Sequence, residues 1–243
     1  MNPIDSDLTL AQLVTEQPHL APHLDALGLD FCCGGQRRIV DAIDALGLDL
    51  AETLAGLEAH TADDERSGTP DVDWNSLGMA ELVDHIESSH HTYLSGALTA
   101  LDPLAEKVAG VHGERHPELL EIAQTFVALR ADLEPHLMKE ERVLFPMIRE
   151  LAAAADAPSF HCGTLRNPIA VMSSEHDQAG ELLARLRSLS NGYTVPDDGC
   201  ASYQALYAGL AALEADTHLH IHKENNLLFP QAIDAEQQLS SPA

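Results

Sequence analysis

Aromatic residues are scarce in this 243-residue chain: Phe, Tyr and Trp together make up 4%, with a single Trp. Apolar residues nevertheless reach 45%. Ala and Leu outnumber the β-branched types, a bias that favours packed helices over sheets. Basic residues are also in short supply, 13 against 39 acidic ones, for a formal net charge of −26. A surface of that sign repels phosphate backbones and excludes a nucleic-acid partner. No apolar run approaches the roughly 18 residues needed to span a bilayer, so no membrane partner is expected. The opening segment MNPIDSDLTLAQL lacks the cationic and apolar regions of a secretory leader, which predicts a cytoplasmic protein. Four cysteines are too few to staple a chain of this length, and two of them, Cys32 and Cys33, are adjacent. What the chain has in unusual number is histidine, 14 in all.

The segment Asp25-Ala-Leu-Gly-Leu-Asp30 recurs as Asp44-Ala-Leu-Gly-Leu-Asp49. Each copy reads as a helix ending at Gly28 or Gly47, where glycine is free to take the left-handed conformation. The polar, acidic stretch from His60 to Asn75 is broken by Gly68 and Pro70. Residues 1–57 therefore read as a small helical domain, 58–75 as a linker and 76–243 as a larger unit. That unit divides into four long helices at about 76–110, 117–151, 168–190 and 200–235, separated by glycine- and proline-containing breaks. In the third, Ile169, Met172, His176, Ala179, Leu183 and Leu186 form the stripe of a core-facing helix. The expected fold is all-α, an antiparallel four-helix bundle preceded by a small helical domain.

A His four residues before an acid shares a helix face with it, a usable metal-ligand pair, but in so acidic a chain about two such pairs arise by chance. The stronger signal is a longer match around two of them. His136-Leu-Met-Lys-Glu140-Glu-Arg-Val-Leu-Phe145-Pro146 repeats as His220-Ile-His-Lys-Glu224-Asn-Asn-Leu-Leu-Phe229-Pro230, 84 residues later. A duplication predicts a match one helix upstream, and His91 and His176 supply it. Leu94, Leu98 and Leu101 lie after His91 at the offsets at which Ala179, Leu183 and Leu186 lie after His176. The apolar residues upstream, Leu82, Val83 and Ile86, are instead centred on His90, which stays in reserve.

Two halves about a pseudo-twofold axis thus present His91, His136, Glu140, His176, His220 and Glu224. Taken singly, each histidine reads as a hydrogen-bonded or solvated helix residue; the repeat lifts the six above that background. Imidazole and carboxylate without thiolate disfavour structural zinc and fit a pair of non-haem iron ions. If Glu140 and Glu224 bridge, each metal has two His and two carboxylate oxygens, leaving room for an oxo bridge and an open position. His218 and His222 rotate to other faces and are expected in solvent or behind the ligands. Glu175, Asp177 and Asp132 lie close enough in sequence to orient a ligating His. Cys32-Cys33-Gly34-Gly35 fits neither a C-x-x-C nor a zinc pattern; it reads as a buried turn or as a redox or iron-transfer site.

Together, Leu29-Asp-Phe-Cys32-Cys33-Gly34-Gly35, Asp84-His-Ile with His91 downstream, the two His-x-x-x-Glu…Phe-Pro segments and Met172-x-x-Glu-His176-Asp resemble the Repair of Iron Centers family of hemerythrin-like di-iron proteins. The resemblance covers nearly the whole chain. It implies a bacterial stress protein that restores iron–sulfur clusters damaged by nitric oxide or peroxide, by donating iron or by reducing nitric oxide. It also implies a di-iron pair on the six residues above, with the glutamates as bridges and His91 rather than His90 as the first ligand. Its partners would be damaged iron–sulfur proteins, with nitric oxide or oxygen species as small ligands. A hemerythrin-like oxygen or nitric oxide sensor is the alternative, although hemerythrins generally use five His and two carboxylates.

Overall fold

The computed structural model describes residues 4–64 and 73–240, and their regular elements are helices. The N-terminal module comprises α1 (Leu10–Glu16), a 3-10 turn (Pro18–Leu20), α2 (Ala21–Leu27), α3 (Ile39–Ala45) and α4 (Leu50–Asp64). Thr9 opens α1 with a capping box: its hydroxyl accepts from Gln12 N at 3.1 Å while Gln12 Oε1 accepts from Thr9 N at 2.8 Å. Gly28 and Gly47 close their helices at φ 74° and 67°, as the repeated segment predicts. α4 continues to Asp64, past the expected start of the linker; linker residues 65–72 lie outside the described residues.

The larger unit is built of four rods. The first is α5 (Met79–Ile86) running through a π-helical turn (Glu87–His91) into α6 (Thr92–His112). The second is α7 (Glu118–Lys139), a π turn (Glu140–Leu144) and α8 (Phe145–Ala153). The third, α9 (Arg166–Leu189), is regular throughout, and the fourth is α10 (Ala201–Lys223), a π turn (Glu224–Leu228) and α11 (Phe229–Ser240). A π turn holds one residue more than an α turn, so the buried face slips by one position as it passes. In the first rod Leu82, Val83, Ile86 and His90 face inward above the slip, and His91, Leu94, Leu98 and Leu101 below it. The competing registers of His90 and His91 are thereby both satisfied, and both side chains are buried. Leu144 with Phe145 and Leu228 with Phe229 are adjacent buried pairs of the same kind.

The bundle has two apolar layers. One holds Leu98, Phe126, Leu133, Leu183 and Leu210 with their neighbours. The other holds Ile86, Phe145, Met172, Leu228 and Phe229. The N-terminal module has its own core around Leu13, Leu24, Phe31 and Ile43, and Ile221 of the fourth rod is part of it. The module therefore docks on α10. Among the described residues no helix is long and apolar enough to cross a membrane.

Candidate metal centre

The six side chains singled out by the repeat meet between the two apolar layers, all buried, with Glu140 and Glu224 at 0% exposure. They form two overlapping quartets, His91, Glu140, His220, Glu224 and His136, Glu140, His176, Glu224, in each of which the ligand atoms lie within 4.8 Å of one another. Glu140 Oε1 faces His136 Nε2 at 3.1 Å and His176 Nε2 at 3.9 Å, whereas Oε2 faces His91 Nε2 at 3.4 Å and His220 Nε2 at 3.8 Å. Glu224 divides the same way, Oε2 lying 3.0 Å from His176 Nε2 and Oε1 3.2 Å from His220 Nε2. The quartets cross the repeat: each takes one His from either half.

Two features mark this as a cation site. None of the four carboxylate oxygens of Glu140 and Glu224 has a hydrogen-bond partner among the described residues, although all are sealed from water. Orphaned buried anions are too costly to persist without a compensating charge. The Nε2 atoms of His136 and His176 also face each other at 3.1 Å, the spacing of two nitrogens at right angles on a metal with bonds of about 2.1 Å. Without a cation, charging both carboxylates is disfavoured at neutral pH. Burial and the proximity of Glu224 push Glu140 up to about 8. Burial acts on Glu224 too, yet His220 and His176 hold it well below the carboxylate range. Burial drives His220 down to about 3, leaving a neutral imidazole able to donate its lone pair.

Three of the four imidazoles are oriented from behind. His136 Nδ1 donates to Glu175 Oε2 at 2.9 Å, and Lys139 closes on the same carboxylate. His91 Nδ1 faces Glu141 Oε1, and His176 Nδ1 faces Asn225 Oδ1, each at 3.0 Å. Sequence proximity named Glu175 but missed Glu141 and Asn225; the signal was their common place one residue after Glu140 and Glu224. Asp132 bonds instead to Gln178 at 2.8 Å, and Asp177 lines a cavity.

The histidines expected in solvent or behind the ligands do something else. His222 is 0% exposed and turned toward the N-terminal module, where its Nε2 meets Thr15 Oγ1 at 3.1 Å. His218 Nδ1 meets Asp25 at 2.8 Å. Both belong to the docking face. Asn226 completes it by donating to the carbonyls of Cys32, at 3.0 Å, and Phe31, at 3.3 Å.

Those carbonyls belong to the Cys-Cys-Gly-Gly loop. Asp30 Oδ1 accepts from the backbone N–H of Cys32 and Cys33, and its Oδ2 from that of Gly34 at 2.8 Å, which winds the loop tightly. The two sulfurs are free, 3.9 Å apart, and together with Asp30 form a third cluster able to hold a cation. Cys32 is buried, and its bond to Cys33 together with burial raises its thiol well above the ordinary value; Cys33 is half-buried. Of the two readings of this segment, the buried turn describes Cys32. Cys32 and Cys33 border a cavity of about 530 Å³ between the module and the bundle, lined also by Asp177, Glu181, Arg187 and Glu214.

An antiparallel bundle with paired His–Glu quartets at its centre is the architecture of a carboxylate–histidine metal protein. The chain belongs to the hemerythrin family: the Hemerythrin HHE cation binding domain matches residues 83–232. Residues 6–61 match ScdA_N, a domain of unknown function (DUF542). The chain is 36% identical over 228 residues to the "Probable iron-sulfur cluster repair protein" of Haemophilus influenzae, covering 93% of this chain and 96% of that one. It is 35% identical over 231 residues to the "Iron-sulfur cluster repair protein YtfE" of Dickeya chrysanthemi, at 95% and 98% coverage.

Proposed function

We propose that this protein repairs iron–sulfur clusters, and that it does so by delivering iron held at the His–Glu centre to damaged iron–sulfur proteins. The repair role is supported by near full-length similarity to relatives that carry that name. The observation that carries the metal assignment is the pair of quartets sharing two buried carboxylates that face only imidazole nitrogens and whose oxygens have no hydrogen-bond partner among the described residues. In this reading His91 and His220 would hold one iron and His136 and His176 the other, with Glu140 and Glu224 common to both quartets. Oxygen-rich and imidazole donors suit iron without locking it in the closed thiolate cage of a structural site.

The chain's own residues do three things around that cargo. The apolar layers exclude water, which strengthens the attraction between the carboxylates and the ions. Glu141, Glu175 and Asn225 fix which nitrogen of each imidazole faces inward. Cys32 and Cys33, beside a cavity whose lining includes Asp25, Asp30, Asp177, Glu181 and Glu214, provide a place for an ion in transit rather than a part of the resting centre. The test is transfer of iron-57 from the loaded full-length protein to an iron–sulfur enzyme whose cluster has been damaged by nitric oxide. Label should enter the rebuilt cluster, and the double variant Cys32→Ser, Cys33→Ser should keep two irons yet transfer them more slowly. Rebuilding of the cluster without label would refute delivery.

A further inference from the structure

The pseudo-twofold relation extends beyond the six central residues. His136, Lys139 and Glu140 correspond to His220, Lys223 and Glu224, and Glu141 to Asn225; one helix earlier, the residue before His176 is Glu175 and the residue before His91 is His90. His90 therefore stands in the first half where Glu175 stands in the second.

The substitution changes what lies behind a ligand. In one half Glu175 accepts from His136 Nδ1 and pairs with Lys139. In the other, Lys223 Nζ approaches His90 Nε2 at 2.7 Å, as Lys139 approaches Glu175. An ammonium can only donate, so His90 Nε2 accepts and the ring proton sits on Nδ1, which faces Asp216 Oδ1 at 3.0 Å. His90 Nε2 is taken by Lys223, and neither nitrogen of His90 is a hydrogen-bond partner of His220 Nδ1. The His220 ring lies against it, centroids 5.8 Å apart and 26° between planes. His220 Nδ1 has no hydrogen-bond partner among the described residues, and the side chain is fully buried.

An acceptor behind a ligating imidazole fixes its tautomer and ring orientation and raises its basicity, and its loss typically lowers metal affinity 10- to 100-fold. We infer that the two metal positions are unequal: the one served by His91 and His220 binds more weakly and empties first, and residue 90 sets the difference as a positioning residue acting through His220. This rests on the proposed di-iron reading.

Iron release measures it directly. The full-length protein, loaded with ferrous iron under anaerobic conditions and assayed for iron content, is challenged with a ferrous chelator while absorbance is monitored. Two phases of one iron each are expected, at least about 10-fold apart in rate. His90→Glu supplies the missing acceptor, so the fast phase should slow toward the slow one, which itself should not move. Glu175→Gln weakens the acceptor behind His136, so the slow phase should accelerate, an effect that does not depend on His90→Glu folding. Neither shift is expected of a merely structural residue, which would change both phases together. A single phase in the parent protein, or variants that hold two irons and release them with unchanged phases, overturns the inference while the di-iron reading stands. A parent protein that never holds two irons defeats the di-iron reading itself, and this inference with it.

Discussion

Replacing Glu140 by Gln should act in opposite directions on the iron-free and iron-loaded protein. In the iron-free fold Glu140 is pushed up to about 8, chiefly by burial, from an ordinary 4.5. A group with a raised folded-state value gives its full stability below the unfolded-state value, and loses it as pH rises toward the folded one. At pH 7 the loss spans the interval from 4.5, and at 1.36 kcal/mol per unit it comes to about 3 kcal/mol. Gln has the same shape and no proton to lose, so the iron-free variant should be more stable than the parent by up to about 3 kcal/mol at pH 7, and by under about 1 kcal/mol at pH 5. With iron the sign reverses. A unit charge about 4 Å from another is worth ~4 kcal/mol at an effective dielectric constant of ~20, so removing the Glu140 charge should lower iron affinity at least ~1,000-fold. Urea unfolding of the iron-free proteins at the two pH values and equilibrium dialysis against ferrous iron give the two numbers. A variant that is less stable without iron, or that binds iron as tightly as the parent, would show that Glu140 is a structural group and refute the argument.

Acid should loosen the docked module through His222. Burial, assisted by Lys223, holds this imidazole down to about 4, so it stays neutral in the fold while the unfolded chain takes up a proton below 6.5. Stability should then fall by up to about 3 kcal/mol as pH drops from 6.5 to about 4 and level off beyond, and urea midpoints of His222→Gln should lack that component. Gly35→Ala should disrupt the same face, because a Cβ there would lie 2.4 Å from Phe31 O and 2.9 Å from both amide atoms of Asn226. A loss of roughly 1–3 kcal/mol is expected in thermal unfolding. Gly56→Ala in α4, where nothing stands within 4 Å, should instead gain about 0.5–1 kcal/mol.

Much of this architecture can be read from the sequence because it was written twice. The repeated His-x-x-x-Glu…Phe-Pro segment identified the central helices, and the stripe from Ile169 to Leu186 is unbroken in the structure because α9 contains no π turn. The conflict between His90 and His91 was itself information: two registers on one helix, offset by one residue, are the imprint of a π turn. Reading them as alternatives missed that both hold. The faces of His218 and His222 could not be read at all, since helical periodicity says which way a side chain turns but not which element will cover it. The Thr15 and Asp25 partners are some two hundred residues away.

Asn225 and Asn226 are neighbours on one turn, yet they answer to different masters: one holds His176 of the metal centre, the other the carbonyls of Cys32 and Phe31. Displacing the loop would tug the turn, and displacing His176 would do the same from the other side. Thermodynamic reciprocity then applies. By whatever factor iron occupancy alters the chemistry of Cys32 and Cys33, a change of state in those thiols must alter iron affinity by the same factor. Two adjacent amides thus put the candidate metal centre and the thiol loop on the two sides of a single turn.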